Sequence, residues 1–410
     1  MPASNSNHTL PALADLTDTQ IAEASRAANE PEWLTEWRTS AWQNFAESTP
    51  PFWKRTDLSK FRSETITAPV GAHNTTLSCE QDFAKHGVIF TTLADAIHNH
   101  GDLIKQHLGT AVDPTAHKFA ALHAALWQDG AFLYVPKNVS IEAPFLATFT
   151  FTNGNNAIFP HNLIIVERGS SAMFVEEYVS DDVEGQGYSS PATEIFVGED
   201  ASLKYAAVQT WGKGVYHIGS QRVRLNNNSN LNWVIANVGG QIQHVEAETS
   251  LENVGSRVEW TGATFANGTQ SLLTAPILRH AGTNTESHLD FKTVVDETGY
   301  STFDGLIKIE HESHGTVTRL EEHAIHLSPK ARTDSIPGLK IDTNDVARAG
   351  HASTSGQIDE EQLFYMLSRG IQRDEAKRMI VMGFFEPTLD RIPVESLRER
   401  ITNLIEEKIR

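Results

Sequence analysis

Residues 162–179 read NLIIVERGSSAMFVEEYV and residues 194–210 read EIFVGEDASLKYAAVQT. Each holds two short apolar-alternating runs joined by a turn-prone polar cluster, and such alternation is the period of a half-buried strand. The joints resemble one another: an acidic or amide residue and a small residue precede the second strand, near Ser170 and near Ala201. The same joint recurs in NNNSNLNW near Ser229, NVGSRVEW near Ser256 and ETGYSTF near Gly299. Most of these joints lie roughly 30 residues apart, within the range of stacked solenoid repeats.

The strand texture extends from about Gly130 to Leu327, with further runs AFLYV, LNWVIANV and GLIKIE. Long amphipathic helices are scarce there, which argues against βαβ winding. A β-sandwich is the competing architecture, and the repeated joint favours a β-helix. On either side the pattern turns helical. The first fifteen or so residues are polar and expected to fray. A helix opens near Thr17, and a second begins at Pro31, with Leu34, Trp37, Ala41 and Phe45 at helical spacing on one face until Pro50 and Pro51. Beyond Pro337, IDEEQLFYMLSRGI starts a helix near Asp359 and stops it at Gly370. QRDEAKRMIVMGFFE, ending before Pro387, and PVESLRERITNLIEEKI, after Pro393, give two more. The expected division is 1–125 (helical and mixed), 126–345 (β-helix core) and 346–410 (helical). The last region suits either a docking module or a cap over the solenoid's open end.

Composition narrows the function. The chain of 410 residues has a net charge of -19, a field that disfavours nucleic acid and anionic membrane surfaces. No window approaches the ~18 apolar residues of a membrane-spanning helix, so a soluble protein is expected. The N-terminal MPASNSNHTLPALADL lacks the basic and apolar regions of a signal peptide. A single cysteine, Cys79, excludes a disulfide framework within the chain and an all-thiolate metal site, and fits a cytoplasmic setting.

The strong catalytic motifs are missing. There is no GxxxxGK[ST], no GxSxG and no HExxH, and the GxG at Gly212 and Gly214 meets His217 where a third glycine would stand. The carboxylate pairs Glu176–Glu177 and Glu321–Glu322 diverge to opposite faces of a strand and read as surface charge rather than a glycosidase pair. HESHGTVTRLEEHAIH gathers His311, His314, His323 and His326, but residues three apart on a strand face opposite sides, so a solvated histidine-rich edge is expected over a metal cage. His351, in AGHASTSGQ, lies among small residues that leave an imidazole accessible. With an ordinary pKa of about 6.5 it can ligate iron in the neutral form or move a proton near neutral pH. The alternative is a histidine that ends a strand and bonds to backbone.

KARTDSIPGLKI (330–341), followed by NDVARAGHASTSGQIDEEQLFYMLSRGI and EAKRMIVMGFF, resembles the SufB/SufD family of iron–sulfur assembly proteins. The resemblance continues through STFDGLIKI, NLIIVERGSSAMFVEEY, FLYVPKNVSIEAP, WKRTDLSKF and PEWLTEWRTSAWQNF, in the family's order. Within the family the chain is more similar to the SufD type. SufB-type chains carry a cysteine in the stretch that here reads ARTDSIPGL, and His351 matches the histidine of the SufD motif S-H-G-A-T, with Gly350, Ala352 and Ser353 as small-for-small departures.

The resemblance implies a mainly β protein, a right-handed parallel β-helix with N- and C-terminal helical regions, and no enzyme activity of its own. It implies pairing with a SufB-like subunit through the β-helices and docking of a SufC-like ATPase on the C-terminal helices. Iron or an iron–sulfur cluster would be held transiently and shared with the SufB-like partner, with His351 as the interfacial ligand or acid–base group and a link to iron supply. Leu363, Phe364, Met366, Ile380, Phe384 and Phe385 would face the ATPase partner or form the helices' own core. A bound flavin and a homodimer in isolation stay open. Two other readings remain: a SufB-like scaffold that holds the cluster itself, and a carbohydrate-active β-helix enzyme.

Overall fold

A residue in the left-handed backbone region marks one corner of successive coils: Asn138, Gly169, Asp200, Asn228, Gly255, Asn284 and Gly315, 27 to 31 residues apart. Glycine and asparagine accept that conformation at least cost. Ser170, Ala201, Ser229, Ser256, Thr285 and Thr316 each follow such a residue and are buried. The joint read in the sequence is therefore this corner. ETGYSTF is the exception, since Glu297 turns the opposite corner together with Gly268. At Gly255 the choice is doubly fixed: with φ at 73°, an added Cβ would also come within 2.5 Å of Asn228 Oδ1 in the preceding coil.

The computed structural model describes residues 9–69, 75–150 and 157–409. Between the corners run two facing sheets. The front sheet has nine strands: Thr75–Ser78, Phe145–Thr150, Ser171–Val179, Ser202–Thr210, Asn230–Asn237, Arg257–Ala266, Glu286–Val295, Thr316–His326 and Val346–Gln357. The back sheet is built from Ala131–Val135, His161–Val166, Ala192–Val197, Val215–Leu225, Ile242–Leu251 and Ser271–His280, then from the split pairs Tyr300–Phe303 with Leu306–Ile309 and Arg332–Ser335 with Gly338–Ile341. Consecutive coils pair in parallel, so equivalent side chains stack. One inward column of the front sheet reads Phe145, Phe174, Tyr205, Trp233, Trp260, Leu289, Leu320 and His351. Trp233 and Trp260 stack face to face with centroids 3.9 Å apart. Large apolar side chains in such a column contribute about 1.5–3 kcal/mol each.

The helices cover the sheets' outer faces. Asp18–Ala27, Glu32–Glu47, Leu93–Asn99, Gly101–His107 and Lys118–Leu126 bury Leu34, Ala41, Trp42 and Leu126 with Leu163, Ile165 and Ile218 of the back sheet. Thr17 caps the first of these with a full capping box. In the second, Pro31 is the N-cap, and the buried face turns to Leu34, Thr35, Arg38, Ala41 and Trp42, leaving Trp37 and Phe45 half-buried. Residues 1–8 of the segment expected to fray lie outside the described residues, while Thr9–Ala12 pairs with Thr67–Pro69. On the front sheet lie Glu360–Ser368, Arg373–Leu389 and Glu395–Lys408. Val381, Phe385, Ile401 and Ile405 pack there on Val208, Val234 and Phe265. These helices thus flank the solenoid and do not seal its end. Pro387 stands inside Arg373–Leu389 instead of following it; in the final turn a missing N–H forfeits one bond and breaks nothing downstream.

The two ends differ. The first coil is lidded by Thr75–Ser78 and Ile89–Thr92, which run antiparallel to it, and by Phe83 and Phe90 against Phe145. The last strand, Val346–Gln357, pairs with Thr316–His326 on one side only, among the described residues. The solenoid therefore runs past residue 345 to Gln357.

Candidate functional site

His351 owes its position to register. It pairs with Leu320 in the last step of the aromatic column, yet it is exposed because no further coil covers it. With side chains alternating along a strand, Ala349, His351, Ser353 and Ser355 share the inward face. The floor of this open end is polar. Glu322, 1% exposed, accepts from Ser335 Oγ at 2.8 Å and Ser353 Oγ at 2.9 Å. Burial holds its carboxyl above the usual range, opposed by those hydroxyls. Beside it His326 Nε2 is bonded to Thr333 Oγ1 at 2.8 Å and Ser355 Oγ at 3.1 Å. Among the described residues no hydrogen-bond partner holds the ring of His351, and no grouping of three or more His, Cys, Asp or Glu could hold a metal ion. His351 can therefore supply one ligand, with no second one grouped beside it among the described residues.

The remaining histidines of the 311–326 cluster do not converge. His311 Nδ1 is bonded to the Asp342 carbonyl at 3.0 Å, His314 lies 3.8 Å from Asp345, and His323 bonds Thr354 at 2.7 Å on the outward face. Cys79 sits at the lidded end, packed against the core. The carboxylate pairs do face opposite ways, but three of the four carboxylates are not surface charge. Glu176 is fully buried and accepts from Asn162, Thr193 and Tyr205, each at 2.7 Å, and from Gln221. Glu177 meets Arg400 of the last helix under the outer face, and Glu322 is the floor just described, while Glu321 is partly exposed beside Arg319. These carboxylates are occupied by partners of the fold, and none forms a facing pair in an open groove.

The six apolar residues of the C-terminal helices divide. Leu363 and Phe385 are buried, and Met366, Ile380 and Phe384 are half-buried against the same clusters. Phe364 is 71% exposed. Tyr365 and Met379, which helical periodicity did not single out, are 58% and 48% exposed. Three large side chains bare on adjoining helices form the apolar surface of this region. Sequence reading assigns Glu322 to surface charge and does not single out Ser335 and Ser353, since three distant strands bring the three together and no local pattern marks them.

Residues 149–384 match the family described as SUF system FeS cluster assembly, SufBD core domain, and residues 57–146 match the SufBD protein N-terminal region. The iron-sulfur cluster assembly protein SufD of Bacillus subtilis is 33% identical over 338 residues, spanning 82% of this chain and 77% of that protein. Iron-sulfur cluster assembly SufBD family proteins of Staphylococcus saprophyticus and Staphylococcus haemolyticus are each 28% identical over 421 residues, 93% of this chain and 90% of theirs.

Proposed function

The chain belongs to the SufBD family of SUF-system iron–sulfur cluster assembly proteins, as a SufD-like member, and from that premise we propose how it works. It is a non-catalytic cytoplasmic subunit that pairs with a SufB-like partner through the bare end of its solenoid. The observation that carries this reading is the strand Val346–Gln357: twelve residues with one sheet neighbour among the described residues, and His351 exposed at the end of the core column. An unpaired strand rail is a template for another chain, and terminal repeats normally carry a lid. Here the lid is the partner. In its absence the same rail pairs two copies of this chain.

Iron, or a nascent cluster, is cargo at this junction. His351 contributes one neutral imidazole and the SufB-like partner the sulfur ligands, so the cargo is shared and transient and iron supply is part of the role. A SufC-like ATPase docks on Phe364, Tyr365 and Met379, and its nucleotide cycle moves the junction through the flanking helices.

The test is co-expression with SufB-like and SufC-like partners, followed by stoichiometry, iron and sulfide analysis and cluster transfer. Ala349→Pro, which removes an N–H from the unpaired rail and fixes its φ, is expected to abolish SufB-like pairing and spare the ATPase. His351→Ala is expected to keep the complex and the β-content but lower cluster delivery. Undiminished pairing in the first variant, or full delivery in the second, overturns the assignment. A stable cluster on the solitary chain would instead favour the self-sufficient scaffold.

A further inference from the structure

The bare strand is poorly suited to stand alone. Gly350, Ala352, Ser353, Ser355 and Gly356 have weak strand preference, and one rail of backbone groups is unpaired. Yet three consecutive side chains are tied to the strand beneath: Ser353 to Glu322 at 2.9 Å, Thr354 to His323 at 2.7 Å and Ser355 to His326 at 3.1 Å. The two inward ties also reach across the solenoid. Glu322 accepts from Ser335, and His326 bonds Thr333, both on the last segment of the back sheet. The two serine hydroxyls that share the Glu322 acceptor also lie 2.7 Å apart, which brings the rims of the two sheets together.

The carboxylate is the informative member. Its inward column reads Ala147, Glu176, Ala207, Ile235, Gly262, Phe291, Glu322 and Ser353. An aliphatic side chain above Phe291 would pack without the desolvation cost of a buried carboxylate. What the carboxylate adds is an acceptor for hydroxyls on both rims at once. We propose that Glu322 is a positioning residue that, with the histidines at 323 and 326, holds Val346–Gln357 extended before the partner arrives, so that His351 is presented in register. Ordering a loose strand at the moment of docking would subtract from affinity, and a strand held in advance avoids that loss. This deepens, and rests on, the reading that the bare end docks a SufB-like subunit.

The experiment uses the full chain. Hydrogen exchange of Val346–Gln357 is measured in isolation for wild type, Glu322→Ala and Glu322→Gln, with Ser202–Thr210 as the interior control. Capture by the SufB-like partner is then titrated. Removing the acceptor is expected to speed exchange of the edge strand and weaken capture by about tenfold each, the factor that one lost hydrogen bond of ordinary strength produces. Glu322→Gln, whose amide oxygen still accepts from the serines, is expected to recover most of both. Unchanged exchange in Glu322→Ala overturns the proposal, as does faster exchange with undiminished capture. Failure of the wild-type chain to capture the partner, with the exchange differences intact, instead overturns the docking reading and leaves the strand-holding role standing.

Discussion

His280 makes the energetics of the polar interior measurable. It is fully buried at the end of Ser271–His280, with Nδ1 bonded to Thr285 Oγ1 at 2.7 Å and Nε2 to Ser287 Oγ at 3.0 Å. Burial holds its pKa down at about 3, against about 6.5 in an unfolded chain. The folded protein therefore binds fewer protons than the unfolded one, and its stability from this group is complete above pH 6.5 and lost progressively as pH falls toward 3. At pH 5.0 the unfolded chain gains about 2 kcal/mol from protonating this one ring, and at pH 7.5 almost nothing. His280→Asn removes that pH-dependent share while keeping polar contact with the hydroxyls. Urea unfolding at the two pH values is expected to show the variant's penalty shrinking by about 2 kcal/mol at pH 5.0. The difference between proteins is the right quantity, because Glu176 and Glu322, whose carboxyls burial holds above the usual range, act with opposite sign in the same window. An equal penalty at both pH values would show that the ring is charged in the folded state and refute the assignment.

Gly262→Ala would place a Cβ 2.2 Å from the Phe291 ring, so a loss of about 1–3 kcal/mol is expected in denaturant unfolding, with part of it restored by adding Phe291→Leu. Paired Phe364→Ser and Tyr365→Ser should leave the unfolding midpoint unchanged, since both side chains are exposed, but reduce co-purification of a SufC-like ATPase. Unaltered co-purification would move that surface elsewhere. Cutting the chain after Ile358 is the less informative test, because it would bare Val208, Val234 and Phe265 on the front sheet.

The solenoid was legible where its inward positions are apolar, as in NLIIVE and LKYAAVQT, and at the corners, where a left-handed residue and a small buried one recur. It was illegible where the interior is polar. His217, Gln221 and Gln243 point inward and are buried, so Val215–Leu225 and Ile242–Leu251 show no simple alternation. His217 is held there by Trp211 Nε1 at 3.0 Å, and burial lowers its pKa to about 3. Val346–Gln357 falls within the region expected to be helical, 346–410; its extended form comes from register with Thr316–His326, a tertiary cause that no local window contains. His351 was visible through its motif alone. The group beneath it was not, because Glu322, Ser335 and Ser353 are neighbours only after two coils have been wound.

The unequal ends of the solenoid also set a limit on how large an assembly can grow through its strands. A rod with a free rail at both tips would keep recruiting copies head to tail into a fibre. Here the tips are unequal: Val346–Gln357 offers a rail of twelve residues, while among the described residues Thr75–Ser78 and Ile89–Thr92 at the other tip offer four each. So short an edge gives strand addition little purchase there, and a complex larger than a pair is more readily built sideways, on the helices.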